Sequence, residues 1–547
     1  MARFLRFSIV WKLVASLVLL SGVCSGAAAG VSTEDRSVDE CDRLAATSFE
    51  DDLPLEVVGL APSQVDPKLA VPAREAAVKA APDNPRLMFQ LGWAYERAGN
   101  YDGARDQFAA AHAKGYTLGT LYLGGLYAAG RGVVKDDRRA ADYYRIAADH
   151  GSPIGEMALA AFFETGRGGL AVDEVQARQL YEQAASQSYA PAQNALGNYF
   201  ENGRGGLAKD DTQATRMYRL SAGKNDPIGQ YQLARFYAAG RGGLEKSDEQ
   251  ALKLYGQSAA KGYAPAQDFV GHYYELGLGG LTKDDNTALT FYRQAASRGL
   301  SAAHFDLGRF YAAGRGGLIK SDVAAAREYR LAADQGFAAA QTDIGYFHET
   351  GRGGLDKNDA EAARFYKLAA DHGNAQAQNN LGGFYEQGRA GLIPNLSEAA
   401  RLYKLSADQG NPAGRTNLGR FFLTGRGDLP QDLEQAAKLF KLASEQNDAV
   451  AQNLLGGMYE RGQGVPKDDN EAARLYKLSA DLGYAQGQFS LARFYQAGRG
   501  GLPVDPAAAT KLLQLAAAQG HAGAKRELDE QASAASPQAP PSSGSKQ

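Results

Sequence analysis

A glycine-rich motif returns along the chain at an almost fixed interval. Eleven copies of GRGGL or a close variant begin at glycines that are 36 or 37 residues apart, from Gly130 to Gly498. A period of this length is typical of solenoids, in which each unit buries its apolar face against its neighbours. The repetition therefore constrains the fold more than the total length of 547 residues does.

Each unit begins with a helical pattern that runs up to the turn glycine. Seven positions before this glycine lies an aliphatic residue, which is always followed by Gly or Ala, and three positions before it lies an aromatic residue, except at His348. Positions four residues apart share one helical face, and the small residue allows a second helix to approach closely. The pattern predicts a first helix, helix A, in which His348 is a packed residue rather than a metal ligand.

A second helix, helix B, is predicted to begin six or seven residues after the turn glycine. Asp, Ser or Asn stands there in every unit, as expected of an N-cap, and Gln or Glu three residues later predicts a capping box in seven units. Gly, Asn or Ser occupies the predicted C-terminal end, where a left-handed cap is typical. GRGGL is then the turn of a helical hairpin, whereas a phosphate-binding loop needs a strand before it and a helix directly after it.

The arginine of the turn is not explained by turn geometry, which needs only the glycines. It is present in nine of the eleven turns, for example as Arg315 and Arg352. Two interpretations stay open: a structural ladder with nearby acidic residues, or a strip along one edge of the solenoid that docks a partner.

The two ends of the chain differ in composition from the repeats. Residues 1–29 resemble a secretory signal peptide, with three basic residues, an apolar run from Leu13 to Val23 and a cleavage site near Ala29; a lipoprotein signal centred on Cys24 is the alternative. Cleavage would change the formal net charge from −3 to about −6, which argues against nucleic-acid and anionic-membrane partners. It would also leave Cys41 as a lone cysteine of unassigned redox state. Residues 522–532 are predicted to cap the array as a helix, and residues 533–547 to form a disordered tail.

The segments AQNNLGGFYEQGRAGL and SEAARLYKLSADQG resemble the Sel-one-like repeat family, a relative of the tetratricopeptide repeat. The resemblance covers eleven units in residues 116–521, and residues 85–115 resemble one tetratricopeptide hairpin. It implies an all-α fold, a right-handed superhelical α-solenoid. Residues 30–84, with the segment CDRLAA, are similar to a leader found in secreted bacterial members, in which a second cysteine often stands where this chain has Arg74.

Two polar columns in helix A suggest a binding groove. Arg lies five positions before the turn glycine in four units and Glu lies two before it in six, yet no unit has both. The exclusion suggests that Arg of one helix A reaches Glu of the next, and resemblance to tetratricopeptide arrays would place both columns in a concave groove. The candidate residues are Arg235, Arg309, Arg420, Arg493, Glu201, Glu275, Glu349, Glu386 and Glu460, with Asn198, His272 and Tyr346 as interruptions of the Arg column.

The leading functional hypothesis is a non-catalytic, periplasmic or secreted scaffold for protein–protein interaction. The resemblance implies roles such as modulating an envelope sensor or organising envelope or polysaccharide assembly. The alternative is a carbohydrate-binding or carbohydrate-processing envelope protein that uses the groove. Catalytic residues, metal ligands and cofactors are not predicted, because no catalytic motif or His/Cys cluster stands out from the repeats.

Overall fold

The computed structural model describes residues 66–535. The predicted signal peptide, Cys24, Cys41 and the chain after Ala535 lie outside these residues. Residues 66–535 form 26 α-helices and no β-strand, which confirms the predicted all-α solenoid of helical hairpins.

The described chain divides into two units, each with thirteen helices. The first unit, up to Arg298, contains α1 (Pro67–Ala80), α2 (Pro85–Arg97), α3 (Tyr101–Ala113), α4 (Thr117–Ala129), α5 (Asp137–Asp149), α6 (Pro153–Thr165), α7 (Glu174–Ser186), α8 (Ala190–Asn202), α9 (Asp211–Gly223), α10 (Pro227–Ala239), α11 (Asp248–Ala260), α12 (Ala264–Leu276) and α13 (Asp285–Ser297). The second contains α14 (Ser301–Ala313), α15 (Asp322–Asp334), α16 (Ala338–Thr350), α17 (Asp359–Asp371), α18 (Ala375–Gln387), α19 (Leu396–Asp408), α20 (Pro412–Thr424), α21 (Leu433–Ser444), α22 (Ala449–Arg461), α23 (Asp469–Asp481), α24 (Ala485–Ala497), α25 (Pro506–Ala518) and α26 (Ala522–Ala535).

From α4 to α25, even-numbered helices are helices A and odd-numbered helices are helices B. Helix α1 precedes the first hairpin and was not predicted from the sequence. Its Arg74 is fully buried, and the guanidinium lies 5.3 Å from the ring centroid of Trp93. The position that often holds cysteine in the resembling leaders is therefore a packed arginine here.

Helix B begins at the predicted N-cap, but the capping box is not formed. Asp210, for example, accepts hydrogen bonds from the amides of Thr212 and Gln213, as predicted. Its own amide donates to the carbonyl of Phe200 in helix A, not to the side chain of Gln213. The predicted hydrogen bond from the N-cap amide to the Gln or Glu side chain was therefore wrong, because that amide binds the last turn of helix A instead.

The left-handed C-terminal caps are present even where glycine is missing. Ser188, Asn225 and Asn447, which replace glycine after three helices B, have φ angles of 63°, 60° and 62°. Within each hairpin the small residue of helix A faces the aromatic column of helix B, as predicted. A Cβ placed on Gly197 would lie 2.6 Å from the ring of Tyr218, so a larger residue there would separate the two helices.

In most repeats the second glycine of GRGGL lies against the preceding repeat too closely to carry a side chain. A Cβ on Gly242 would lie 2.3 Å from the carbonyl oxygen of Asp211, the first residue of the preceding helix B. Gly500 approaches Asp469 in the same way, also at 2.3 Å. The motif is therefore both a turn within one hairpin and a contact surface for its neighbour.

The turn arginine completes this contact, and we call the arrangement the arginine clasp. Two nitrogens of its guanidinium bind the acidic residue that begins the preceding helix B, thirty residues earlier in sequence. The pairs are Arg167–Asp137, Arg204–Glu174, Arg241–Asp211, Arg352–Asp322, Arg389–Asp359 and Arg499–Asp469. In eight repeats the guanidinium also lies 4.0–5.0 Å from the ring centroid of an aromatic residue of its own helix A. The structure thus supports the ladder interpretation of the turn arginine.

The opposite ends of the helices are joined by an amide column. In five repeats a glutamine ten positions before the turn glycine donates to a carbonyl at the end of the preceding helix B, as Gln193 does to Ala185 at 3.4 Å. Glu156 occupies this position in its repeat and cannot donate when ionised. It is 5% exposed and accepts hydrogen bonds from the Gln187 amide at 3.1 and 3.2 Å. Burial raises the pKa of its carboxyl, and the bond from Gln187 opposes that rise.

We expect Arg389→Ala to destabilise the array by about 1–3 kcal/mol, since it removes charge-assisted bonds and the stacking on Phe384 at 4.0 Å. Differential scanning calorimetry should show a lower melting temperature, and amide exchange should accelerate in α16–α19. Arg401→Ala is the control, because its exposed pair with Glu398 within one helix stabilises by at most about 0.5 kcal/mol. Equal effects of the two substitutions would contradict the clasp.

Ala390 stands where the other turns have the second glycine, and its φ angle is 58°. A left-handed alanine is disfavoured relative to glycine by about 1 kcal/mol, so Ala390→Gly should raise the melting temperature. Gly353→Ala is the matched opposite change: a Cβ there would lie 2.8 Å from the carbonyl oxygen of Asp322, and the melting temperature should fall. A fall with both substitutions would show that Ala390 is not strained.

Glu156→Gln should stabilise the protein at pH 7. A carboxyl whose pKa is raised in the folded state favours folding below its unfolded pKa of about 4.3, and this contribution is lost as the pH rises through the folded pKa. The gain in melting temperature should therefore shrink as the pH falls through the folded pKa and be smallest below about 4. Gln193→Glu, the reverse change at an equivalent position, should destabilise at pH 7; stabilisation there would refute the assignment.

Candidate functional site

The two predicted polar columns lie on helices A, and together we call them the A-helix face: the residues five and two positions before each turn glycine. Each unit carries its own part of this face. Asn198, Arg235 and His272 belong to the first unit, and the members from Arg309 onward belong to the second.

The glutamates of this face are bound inside the array. Glu164, the sixth glutamate at this position, accepts a hydrogen bond from the Tyr181 hydroxyl at 3.0 Å. Each of the five candidate glutamates accepts a hydrogen bond, 2.6–2.8 Å long, from the tyrosine hydroxyl of helix B in its own hairpin. The pairs are Glu201–Tyr218, Glu275–Tyr292, Glu349–Tyr366, Glu386–Tyr403 and Glu460–Tyr476. Four of them also form ion pairs with the turn arginine of the next repeat, at 2.6–3.0 Å: Glu201–Arg241, Glu349–Arg389, Glu386–Arg426 and Glu460–Arg499.

These carboxylates are therefore part of the arginine clasp. Glu201 and Glu275 are only 8% and 7% exposed. Burial, with the neighbouring glutamates, raises the pKa values of Tyr218, Tyr366 and Tyr403, so the tyrosines stay protonated donors. The predicted pairing, in which Arg of one helix A reaches Glu of the next, misses the main partners of these glutamates, which are the helix-B tyrosine and the turn arginine of the next repeat.

The residues of the Arg column differ in their exposure and in the groups they contact. In the first unit Arg235 reaches Glu201 of the preceding helix A at 3.4 Å, so successive helices A are paired but in the direction opposite to the predicted one. Asn198 is half-buried there, and its carbonyl accepts a hydrogen bond from the Asn202 side chain. His272 is half-buried, with Nδ1 at 2.9 Å from the Tyr292 hydroxyl.

In the second unit Arg309 forms an ion pair with Asp306 of its own helix A at 2.5 Å. Arg420 and Arg493 are exposed, and neither forms an ion pair within residues 66–535. Tyr346 is 44% exposed, which is unusual for a tyrosine in an array where the other hairpin tyrosines are packed. The face therefore retains accessible cationic and aromatic side chains in this unit.

Two features of the second unit were missed from the sequence. Burial raises the pKa of Asp343, three residues before Tyr346, to about 6, and Arg309 opposes that rise. The Arg461 guanidinium nitrogens lie 3.1 Å from the position that a Cβ on Gly457 would occupy, so Arg461 covers the gap that this glycine leaves in the Arg column. A helical spacing of four residues between Gly457 and Arg461 was the signal available in the sequence.

His348 has the packing role expected of it. Its ring is stacked on Phe365 with centroids 5.8 Å apart and an interplanar angle of 9°. Burial lowers its pKa, which favours the neutral ring.

None of the helices formed by residues 66–535 is both long enough and apolar enough to cross a membrane. Comparison with curated protein sequences finds no significant match.

Among solved structures, the chain is similar to c5321, a protective antigen present in uropathogenic Escherichia coli strains that displays an SLR fold. The two share 27% identity at a TM-score of 0.53, over 86% of this chain and 98% of that one. A Sel1 repeat protein from Oxalobacter formigenes shares 28% identity over 46% of this chain and 96% of its own, with a TM-score of 0.40.

The Sel1 repeat profile matches eleven consecutive segments, and the bounds agree with one hairpin each. They are residues 118–152, 153–189, 190–226, 227–263, 264–300, 301–337, 338–374, 375–411, 412–448, 449–484 and 485–521. The match covers well over half of the chain and coincides with the hairpins that the clasp joins. The chain therefore belongs to the Sel1 repeat family of α-solenoid proteins.

Proposed function

We propose that this chain is a non-catalytic scaffold of the bacterial envelope, periplasmic or secreted, that binds a protein partner on its A-helix face. Sel1 repeat proteins are generally protein–protein interaction scaffolds, which supports the general part of this proposal. The signal-peptide pattern of residues 1–29 supports the location, and a role in modulating an envelope sensor or in envelope assembly remains part of the proposal.

One observation carries the binding role: the residues of the clasp recur from repeat to repeat, while the accessible residues of the A-helix face differ. Turn arginine and helix-B acid are the same in most repeats, because every interface must be joined in the same way. At the Arg position, by contrast, the second unit presents in turn Arg309, Tyr346, Gly383, Arg420, Gly457 and Arg493. An uneven sequence of polar and aromatic groups on a repetitive frame is the composition expected of a recognition surface.

The experiment is capture from envelope extract with the mature chain, residues 30–547, followed by quantitative mass spectrometry. We expect one or a few proteins at near-stoichiometric yield, and a several-fold loss with Arg309→Gln and Tyr346→Ala combined. Arg364→Gln with Arg401→Gln changes exposed ion-paired residues of helices B and should leave the yield unchanged. The melting temperatures of all variants are measured alongside.

Two outcomes would overturn the proposal. If the combined variant retains its partner at normal stability, the A-helix face is not the binding surface. If a glycan array gives specific binding while no protein is captured, the carbohydrate-binding alternative replaces the scaffold.

A further inference from the structure

Three arginines on successive helices A of the second unit project into solvent without an acidic partner. Arg420 on α20, Arg461 on α22 and Arg493 on α24 are exposed, and none forms an ion pair with a residue of the described chain. We call these three residues the basic row. Their hydrogen bonds are few and neutral: Arg420 to Asn417 at 3.4 Å and Arg461 to Gln463 at 2.8 Å.

The basic row differs from most other arginines in this part of the second unit. Those on helices B form exposed ion pairs three residues away, as Arg401 does with Glu398 and Arg474 with Glu471. Those of the turns bind carboxylates of the preceding repeat, as Arg426 and Arg499 do. Apart from Arg415, whose guanidinium donates to the Leu442 carbonyl at 3.4 Å, the arginines of these three repeats that lack an ion pair are the three of the basic row.

Acidic residues near the row are already neutralised. Glu386 and Glu460 each bind a tyrosine hydroxyl and a turn arginine. The neighbouring A-helix positions in the repeats of Arg420 and Arg493 are Leu423 and Gln496, which carry no charge. The row is a local cationic surface on a chain whose formal net charge is −3.

We infer that the basic row binds an extended acidic peptide segment of a protein partner, an inference that rests on the proposed scaffold function. Charge complementarity selects the partner, because guanidinium groups bind carboxylates through two parallel hydrogen bonds. The array is anionic overall, so such a segment is attracted to this face and repelled elsewhere.

The repeat geometry sets the spacing of the carboxylates. Helices A of adjacent repeats lie side by side, as the 3.1 Å hydrogen bond from Ser490 on α24 to Asn453 on α22 shows. Packed helices are about 8–10 Å apart, and an extended chain advances about 3.3 Å per residue. A peptide that follows the row therefore meets a new guanidinium at every third residue, which predicts Asp or Glu at positions 1, 4 and 7.

The test uses the full chain and a fluorescein-labelled nonapeptide of Gly and Ser with Glu at positions 1, 4 and 7, measured by fluorescence anisotropy at low ionic strength. The comparison peptide has the same three Glu residues in succession. We expect tighter binding of the spaced peptide, with an affinity that falls as salt is added. Arg420→Gln, Arg461→Gln and Arg493→Gln combined should weaken binding by about tenfold, as expected for three solvent-exposed charge pairs.

The matched control is Arg364→Gln, Arg401→Gln and Arg474→Gln, which makes the same change of charge on helices B and should bind like the unaltered chain. Equal losses of peptide affinity in both triple variants would show that net charge alone explains the binding, and would overturn the inference. Equal affinity for the two peptides would overturn the spacing. Binding of polygalacturonate but of neither peptide would overturn the inference and show that the chain binds an acidic glycan instead of an acidic peptide.

This test is separable from that of the scaffold. The variant with Arg309→Gln and Tyr346→Ala leaves the basic row intact. If that variant loses the captured partner while the row variant retains it and the nonapeptide does not bind, the scaffold stands and the acidic-segment inference fails.

Discussion

The arginine clasp is the interaction on which the rest of the array depends. Where the clasp is complete, as in the repeats of Arg204, Arg241, Arg389 and Arg499, a single turn guanidinium joins four groups. These are the ring of its own helix A, the first residue of the preceding helix B, the glutamate of the preceding helix A and, through that glutamate, the tyrosine of the preceding helix B. In the repeat of Arg389 these groups are Phe384, Asp359, Glu349 and Tyr366. Half-buried, hydrogen-bonded and in contact with an aromatic ring, the guanidinium is far from the exposed ion pair that contributes little to stability.

The helices of this protein could be predicted from the sequence because their signals are local. Caps, small residues and aromatic columns act over three to seven residues, and the eleven repeats reinforce one another. The need for the second glycine of GRGGL could not be predicted from local signals. Its necessity arises from the carbonyl of a residue about thirty positions earlier, as for Gly500 and Asp469, and no local pattern contains that distance.

The candidate site was predicted less well for a related reason. The mutual exclusion of Arg and Glu in helix A suggested one ladder, and Arg235 with Glu201 pairs successive helices A in the direction opposite to the predicted one. However, a carboxylate in a crowded interface binds every donor in reach, and the tyrosine hydroxyl and turn arginine bind it more closely. Arg420 and Arg493 are not bound by these carboxylates, so their side chains stay accessible. The contribution of Arg461 depends on the gap at Gly457, which only the structure shows.

The clasp also bears on how such a chain can change its length. A repeat that has both the turn arginine and its acidic partner residues carries one half of the clasp at its turn and the other half on its helices. Such a repeat is complementary to a copy of itself. Duplication or deletion of one 37-residue segment creates a junction that is already compatible in shape and charge. The number of hairpins is therefore free to vary between related arrays. The order of residues on the A-helix face changes each time a hairpin is gained or lost.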